Sequence, residues 1–257
     1  MSQEIDSYLE VVPPRLSGTL VGLIAPHAGY RYSGRTAGFA FACLKGSSYD
    51  LVAVLSPLHA YQSAPVLTSA HDAYATPLGT IPIDHSALQS LDEALAEHKI
   101  SLARIAQDGE HSLEIELPFL QRALQADFSL LPLMVRSHEP QLLQTLAAAL
   151  ADVLKPRRSL LVASTDLSHF YPQSAALELD REMLRQFSLF SPEGVLEAER
   201  SGSGFACGAG AVAVALWTAS LLGADHVEIL HHSTSADETG DTSSVVGYGA
   251  AAILKKL

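Results

Sequence analysis

Four side chains that can bind a metal ion or move protons lie near the ends of apolar, strand-like segments. His27 follows the run LVGLIA, His59 follows LVAVL, and His169 follows SLLVAS. Cys207 precedes an apolar helical segment in GSGFACGAG. Because loops at the carboxyl ends of parallel strands meet in one crevice, residues far apart in sequence can share a site there. The pattern predicts a metal site or an acid/base centre.

The first two histidines share their local sequence, since each closely follows a proline just beyond an apolar run, in APHAGYRYSG and VLSPLHA. If the two strands are neighbours, His27 and His59 can bind one ion at the metal–nitrogen distance of about 2.0–2.1 Å. The structural alternative for either residue is a turn histidine that bonds a neighbouring carbonyl.

Cys207 is flanked by glycines where a helix is predicted to begin, and the unpaired N–H groups and dipole of a helix start stabilise a thiolate. Its thiolate could complete a His, His, Cys ligand set or attack an electrophile. The third interpretation is a small residue that fits a crowded helix start. Cys43 lies in an apolar helical segment, GRTAGFAFACL, which predicts a buried and inert thiol.

Two further segments place acids beside histidines. In ASTDLSHF, Asp166 and His169 are three residues apart, so the carboxylate can orient the imidazole for proton transfer or support a metal ligand. The alternative is an N-cap aspartate beside an incidental histidine. His111 lies in DGEHSLEIELPFL, where a helix capped by Ser112 accounts for much of the composition; a functional and a structural role are equally compatible with it.

Short apolar runs alternate with helical patterns along the chain, and several runs are continuously apolar, as in strands buried on both faces. We therefore predict one α/β domain over residues 1–257, with a mainly parallel central sheet and helices on both faces. The segment 66–84 is predicted to form a hairpin or an edge addition. The predicted strands are 20–25, 51–55, 129–135, 159–164, 227–232 and 245–254, and the predicted helices lie near 34–44, 86–98, 112–125, 139–154, 174–190, 192–200 and 208–222.

Composition narrows the class of partner. The chain has 16 Lys and Arg against 28 Asp and Glu, a formal charge of -12, which disfavours nucleic acid because that partner requires a basic face. No apolar stretch is long enough to span a membrane, and the first residues do not resemble a signal peptide, so a cytoplasmic location is expected. Phosphate-loop and dinucleotide fingerprints are missing, so no nucleotide cofactor is expected. The expected partner is therefore a small molecule or a peptide, and the sequence is also compatible with a homo-oligomer.

Several ordered motifs together resemble the Memo family, from about residue 20 to the C-terminus. They are APHAGYRYSG, TPLGTIPID, EHSLEIELPFLQ, ASTDLSHF, the CG of FACGAG, SADETGD and VVGY. The resemblance implies a fold similar to the class III extradiol dioxygenases, which hold non-haem Fe(II) with two histidines and a carboxylate. This many motifs in order is highly specific.

The resemblance also assigns roles to residues. It implies that His27 and His59 occupy the two histidine ligand positions, that Cys207 stands where the dioxygenases carry a glutamate, and that His169 replaces their acid/base histidine. Asp166 and His111 would line the same pocket. Because thiolate sulfur is softer than a carboxylate, the implied ion is Fe(II) or Cu, with Zn as a further candidate, and ring cleavage does not follow from the fold.

The sequence departs from the family pattern at two places. A stretch that resembles G-P-S/N-H in the family is here Ser56, Pro57, Leu58 and His59, and the family's N-terminal segment with its aromatic pair is missing. Two functions are consistent with the sequence. The first is a metal-dependent redox enzyme, dioxygenase-like or otherwise, and the second is a non-catalytic module that binds a peptide or phosphopeptide in the same cleft.

Overall fold

A nine-stranded sheet forms the centre of the computed structural model, which describes residues 1–107 and 109–256. The strands are β1 Gly18–Ala25, β2 Leu51–Ser56, β3 Val66–Ser69, β4 Ala73–Thr76, β5 Gly79–Pro82, β6 Leu102–Ile105, β7 Ser129–Val135, β8 Ser159–Ser164, β9 His169–Tyr171, β10 His226–Thr234 and β11 Val245–Lys256. The main sheet has the order β10-β11-β1-β8-β2-β7-β3-β6, with β9 paired to β11, and β4 and β5 form a separate hairpin.

The four central strands β1, β8, β2 and β7 are parallel to one another. Every residue of β2 is buried, in agreement with the apolar run LVAVL that precedes Ser56. Antiparallel pairing occurs toward the two sides, where β11 joins β1 and β3 joins β7. The predicted α/β fold with a mainly parallel central sheet is confirmed. The carboxyl ends of β1, β8 and β2 consequently lie side by side.

Helices cover both faces of this sheet. They are α1 Ser2–Leu9, α2 Tyr30–Phe41, α3 His85–Glu97, α4 Leu117–Ala123, α5 Pro140–Leu154, α6 Gln173–Ser188, α7 Pro192–Ser201, α8 Ala209–Leu221 and α9 Ala236–Thr239. Alternate residues of one strand enter opposite layers: Ile24 packs into the core that contains α3, α5 and α8, whereas Leu23 and Ala25 pack into the core that contains α1, α2 and α4. No helix of residues 1–107 and 109–256 has the length and apolar character needed to cross a membrane.

The hairpin predicted within 66–84 is present as β4–β5, whereas β3 is an inner strand between β7 and the edge strand β6 and not an edge addition. The prediction of a helix beginning at Ser112 is wrong. A 3-10 turn covers Glu114–Glu116 and α4 begins at Leu117, while the Ser112 hydroxyl donates a hydrogen bond to Pro57 O at 3.0 Å instead of capping. The sequence predictions did not cover the short elements α1, α9, β6 and β9. Strand β3 lies within the predicted segment 66–84.

The loop after β8 packs directly against the residues that lead into α8. A Cβ atom on Gly208 would lie 2.4 Å from the carbonyl oxygen of Ser164, a distance that real Cβ atoms do not adopt. The Gly208 N–H also donates to Thr165 Oγ1 at 2.9 Å. A glycine is therefore required here by close approach of two backbones.

Replacing Gly208 with alanine should lower the free energy of unfolding by about 1–3 kcal/mol, because the added methyl group must displace backbone. Urea denaturation followed by circular dichroism measures the change. Gly29→Ala is the control, since a Cβ there would meet only Tyr32 Cδ2 at 3.8 Å. Equal free energies of unfolding for both variants and the unchanged protein would contradict this close approach.

Candidate metal centre

Three side chains from three separate loops meet at the carboxyl edge of the sheet. One ligand atom from each of His27, His59 and Cys207 can be chosen so that all three lie within 4.8 Å of one another. The Cys207 sulfur lies 3.3 Å from His27 Nε2, and the two imidazole centroids are 5.7 Å apart. The residues predicted to share a site therefore form a candidate metal site.

His27 is held almost completely out of solvent at the end of β1, with 3% of its surface exposed. Its backbone N–H donates to Asp166 Oδ1 at 2.8 Å, and its Nδ1 atom lies 2.8 Å from Ser164 Oγ. Burial, with a further electrostatic contribution from His59, lowers the pKa of His27 to about 3. At neutral pH the imidazole is uncharged, as a metal ligand must be.

His59 is more accessible, with 50% of its side chain exposed. The preceding residue, Leu58, anchors the loop because it packs against Leu67 and Met134. Glu110 then fixes the ring: its Oε2 atom lies 2.9 Å from His59 Nδ1 and accepts the His59 backbone N–H at 2.7 Å. A carboxylate that holds Nδ1 leaves Nε2 for an ion.

The His59–Glu110 pair also shifts both protonation equilibria. The hydrogen bond that the Glu110 carboxylate accepts raises the pKa of His59 against the effect of partial burial. Burial by itself would raise the pKa of Glu110, but hydrogen bonds from His59 and from the Ser112 backbone outweigh it and hold that pKa far below its usual range. Glu110 therefore carries a negative charge beside the candidate site.

Cys207 lies one residue before Gly208, the N-cap of α8, and not in the first helical turn. The backbone N–H of Asp166 donates to the Cys207 sulfur at 3.2 Å, which favours a thiolate, yet burial and the nearby Asp166 carboxylate raise the pKa of the thiol well above its usual range. The expectation that the helix start maintains a thiolate is wrong for the metal-free protein. An ion that binds the sulfur must displace its proton.

Asp166 connects the segments that carry two of the three ligands. Its Oδ1 atom accepts the backbone N–H groups of His27 at 2.8 Å and Ala28 at 3.2 Å, and its Oδ2 atom lies 3.9 Å from His27 Nε2. Its backbone carbonyl accepts the Cys207 N–H at 3.2 Å. Burial raises the pKa of Asp166 to about 7 despite the two backbone hydrogen bonds. The N-cap interpretation is wrong, because β9 and not a helix follows.

His169 is half-buried in β9, with its ring 5.1 Å from the Phe205 ring in an edge-on arrangement. Its Nδ1 atom is buried without a hydrogen-bond partner among the described residues. Burial, followed by the charge of His59, lowers the pKa of His169. The imidazoles of His111 and His169 both make small contributions to lowering the pKa of His27. His111 is exposed and lines a cavity of about 210 Å³ with Tyr30 and Met1 among its other residues.

Other cysteine and histidine side chains lie outside the ligand group. Cys43 is half-buried and not buried as predicted; it donates to Phe39 O at 3.4 Å, and partial burial raises the pKa of its thiol to about 11. His231 stacks on Phe39 with ring centroids 4.3 Å apart, and His232 Nε2 lies 2.8 Å from a carboxylate oxygen of the buried Asp180. A cavity of about 660 Å³ beside β5 and the end of α4 is lined by none of the three ligands.

Sequence reasoning missed the residues that support the ligands. Glu110 was visible only as part of an acidic run, and Ser164 only as the last residue of a buried strand. Glu116 was interpreted as part of a helix start. Its Oε1 atom lies at hydrogen-bonding distance, 2.6 Å, from Ser164 Oγ. Ser164 is also a polar residue at the end of an apolar strand, which is the pattern that identified the histidines. The same pattern could therefore have identified Ser164.

The donor set fits a transition-metal ion. Two imidazole nitrogens and one sulfur suit Fe, Cu or Zn, and each histidine has its second nitrogen occupied by a side-chain oxygen, the usual way in which proteins orient such ligands. Three ligands also leave coordination positions for a substrate.

The sequence and fold match known proteins along most of the chain. A family model described as "Memo-like protein" matches residues 1–252. The chain belongs to the Memo family. A "MEMO1 family protein" of Nitrosopumilus maritimus is 33% identical over 231 residues, which cover 90% of this chain and 83% of that protein. A second, from Thermotoga neapolitana, is 34% identical over 236 residues, which cover 89% and 80%.

A solved structure shares the fold at low sequence identity. The "uncharacterized protein JW3007 from Escherichia coli K12" is 14% identical, has a TM-score of 0.54, and covers 91% of this chain and 99% of its own. Within this Memo family fold, the departure at Leu58 has a structural reason. The side chain is 6% exposed and belongs to the apolar cluster under the His59 loop, so it supplies packing to that loop.

Glu110→Gln should weaken Zn²⁺ binding about 10–100-fold, because the loss of a carboxylate that orients a ligand histidine typically has that effect. Competition against a chromophoric chelator measures the dissociation constant. Glu178→Gln, which alters an exposed glutamate of α6, is the matched control and should bind as the unchanged protein does. Equal affinities for both variants would show that Glu110 does not orient His59.

His169 should titrate below the ordinary histidine range in the metal-free protein, so its ring stays neutral at pH 7. Phe205→Ala should raise its pKa toward 6.5, because removal of the packed ring readmits water. Histidine ¹H–¹⁵N NMR titration measures both values. Phe170→Ala removes a ring that is 75% exposed and should change the pKa little. A pKa that is the same in all three proteins would rule out burial by Phe205 as the cause.

Proposed function

We propose that this Memo family protein is a metal-dependent oxidoreductase in which His27, His59 and Cys207 hold Fe(II) or Cu. The observation that carries the proposal is the meeting of three ligand atoms within 4.8 Å at the carboxyl edge of the sheet. Zn is a further candidate for the same donors. A bound Fe(II) or Cu ion supplies one-electron redox chemistry and open coordination positions for a small substrate.

His169 is proposed to move protons during the reaction. Its ring is neutral at neutral pH because burial lowers its pKa, and its buried Nδ1 atom has no partner among the described residues. A neutral imidazole with one uncommitted nitrogen can accept a proton from a substrate or return one to it. The Phe205 ring restricts its orientation by edge-on contact.

Asp166 is proposed to support the reaction from the interior. Its carboxyl group orients the His27 backbone while its own main chain bonds Cys207. With a pKa raised to about 7 by burial, it can hold or release a proton near neutral pH. We propose that the exposed His111 contacts a substrate that enters the cavity beside Tyr30.

The phosphopeptide-binding alternative draws less support from the site. The carboxyl groups of Glu110 and Asp166 flank the ligands, and Glu110 is ionised. Fixed negative charge at that position opposes binding of a phosphate. Support for phosphopeptide binding would require that mutation of His169 lowers the affinity of the protein for a phosphopeptide.

Anaerobic purification followed by metal analysis tests the proposed centre. The unchanged protein should contain about one Fe or Cu ion per chain, and His59→Ala and Cys207→Ser should each reduce that content strongly, because each removes one of three protein ligands. Cys43→Ser is the matched control, since that thiol bonds Phe39 O outside the group. Equal metal content in Cys207→Ser, Cys43→Ser and the unchanged protein would refute the centre.

A further inference from the structure

A buried hydroxyl lies between the metal-ligand candidate His27 and a carboxyl group that has no assigned role. Ser164 Oγ is 2.8 Å from His27 Nδ1, 2.7 Å from the carbonyl oxygen of Ser112 and 2.6 Å from Glu116 Oε1. Ser164 and Glu116 are completely buried. Water is therefore not available to complete these hydrogen bonds from outside.

The number of available hydrogen atoms determines which atom donates in each of the three contacts. A serine hydroxyl donates one hydrogen bond and accepts two, and a carbonyl oxygen only accepts. The Ser164 proton must therefore serve the Ser112 carbonyl, and the two remaining contacts must bring hydrogens to the serine oxygen. His27 can supply one from Nδ1. Glu116 can supply the other only if its carboxyl group is protonated.

An ionised Glu116 fits these contacts less well. It would take the Ser164 proton for itself and leave two acceptor oxygens, those of Ser164 and Ser112, 2.7 Å apart with no hydrogen between them. Its second oxygen, Oε2, is buried without a partner among the described residues, and a buried carboxylate with an unpaired oxygen is costly. Burial, with the Asp166 charge as a smaller contribution, raises the pKa of Glu116 well above its usual range.

We propose that Glu116 is a neutral carboxylic acid that positions His27 through Ser164. With its proton donated to Ser164 Oγ, the hydroxyl is saturated and can only accept from His27. The imidazole is then protonated at Nδ1 and bare at Nε2, the atom that faces the Cys207 sulfur at 3.3 Å. Glu116 is thus a positioning residue that prepares the ligand nitrogen before an ion arrives.

The protonation state can be measured directly in the metal-free protein. In ¹³C NMR of protein labelled at the glutamate carboxyl carbon, the Glu116 signal, assigned by its loss in Glu116→Gln, should have the shift of a neutral acid at pH 7. A carboxylate shift at pH 7 would overturn the proposal. This result depends neither on metal binding nor on the folding of any variant less conservative than glutamine.

The positioning role is tested with Zn²⁺ as the probe. Glu116→Gln retains an N–H donor for Ser164 and should bind Zn²⁺ nearly as the unchanged protein does, whereas Glu116→Leu should bind about 10–100-fold more weakly. Histidine ¹⁵N NMR should show His27 as the Nδ1–H tautomer in the unchanged protein and Glu116→Gln, and a mixture of tautomers in Glu116→Leu. Thr218→Val, which removes another buried hydroxyl group, controls for general effects on the core.

The consequence for Zn²⁺ rests on the proposed function of His27 as a ligand, and the outcomes separate the two. If the unchanged protein fails to bind Zn²⁺ while the Glu116 signal is that of a neutral acid, the metal centre is wrong and the protonation assignment stands. If Glu116→Gln binds as weakly as Glu116→Leu, or if the leucine variant binds normally, the positioning role is overturned.

Discussion

The arrangement of the candidate metal centre depends on the hydrogen bonds of one buried residue, Asp166. Its side chain bonds the backbone of the His27 loop, and its main chain bonds both the N–H group and the sulfur of Cys207. These contacts join residues that are 139 and 41 positions apart in the chain. Because burial removes competing water, such bonds fix the loops more firmly than the same contacts would at the surface. The nitrogen and sulfur ligands meet because both segments bind the same residue.

The parallel sheet makes that convergence possible, and it is the part of the structure that sequence alone could predict. Strands buried on both faces are mostly apolar, so β2, β7 and β8 were visible as apolar runs with serine only at their ends. Short or half-exposed elements have no such signature. Strands β6 and β9 have four and three residues, respectively, and owe their conformation to a partner strand that the local sequence does not specify.

The site was predictable to the level of residue types but not of supporting contacts. His27, His59 and Cys207 could be identified in the sequence as polar residues at the ends of apolar segments. Glu110 lies 51 positions from the histidine that it holds, and only the folded chain brings the two together. The protonation of Cys207 was mispredicted for a related reason, because a thiol beside a helix start is stabilised as a thiolate only where burial and a neighbouring carboxylate do not outweigh the dipole.

Burial differs sharply between the two histidines of the centre. His27 is 3% exposed and already contacts the Cys207 sulfur, whereas half of the His59 side chain faces solvent on a separate loop. The His27–Cys207 contact therefore lies on the inner side of the group, and His59 lies on its solvent side. An ion held by these three side chains would be reached by solvent from the side of the exposed His59 ring. Exchange of such an ion with solvent would therefore take place on the side of the His59 loop.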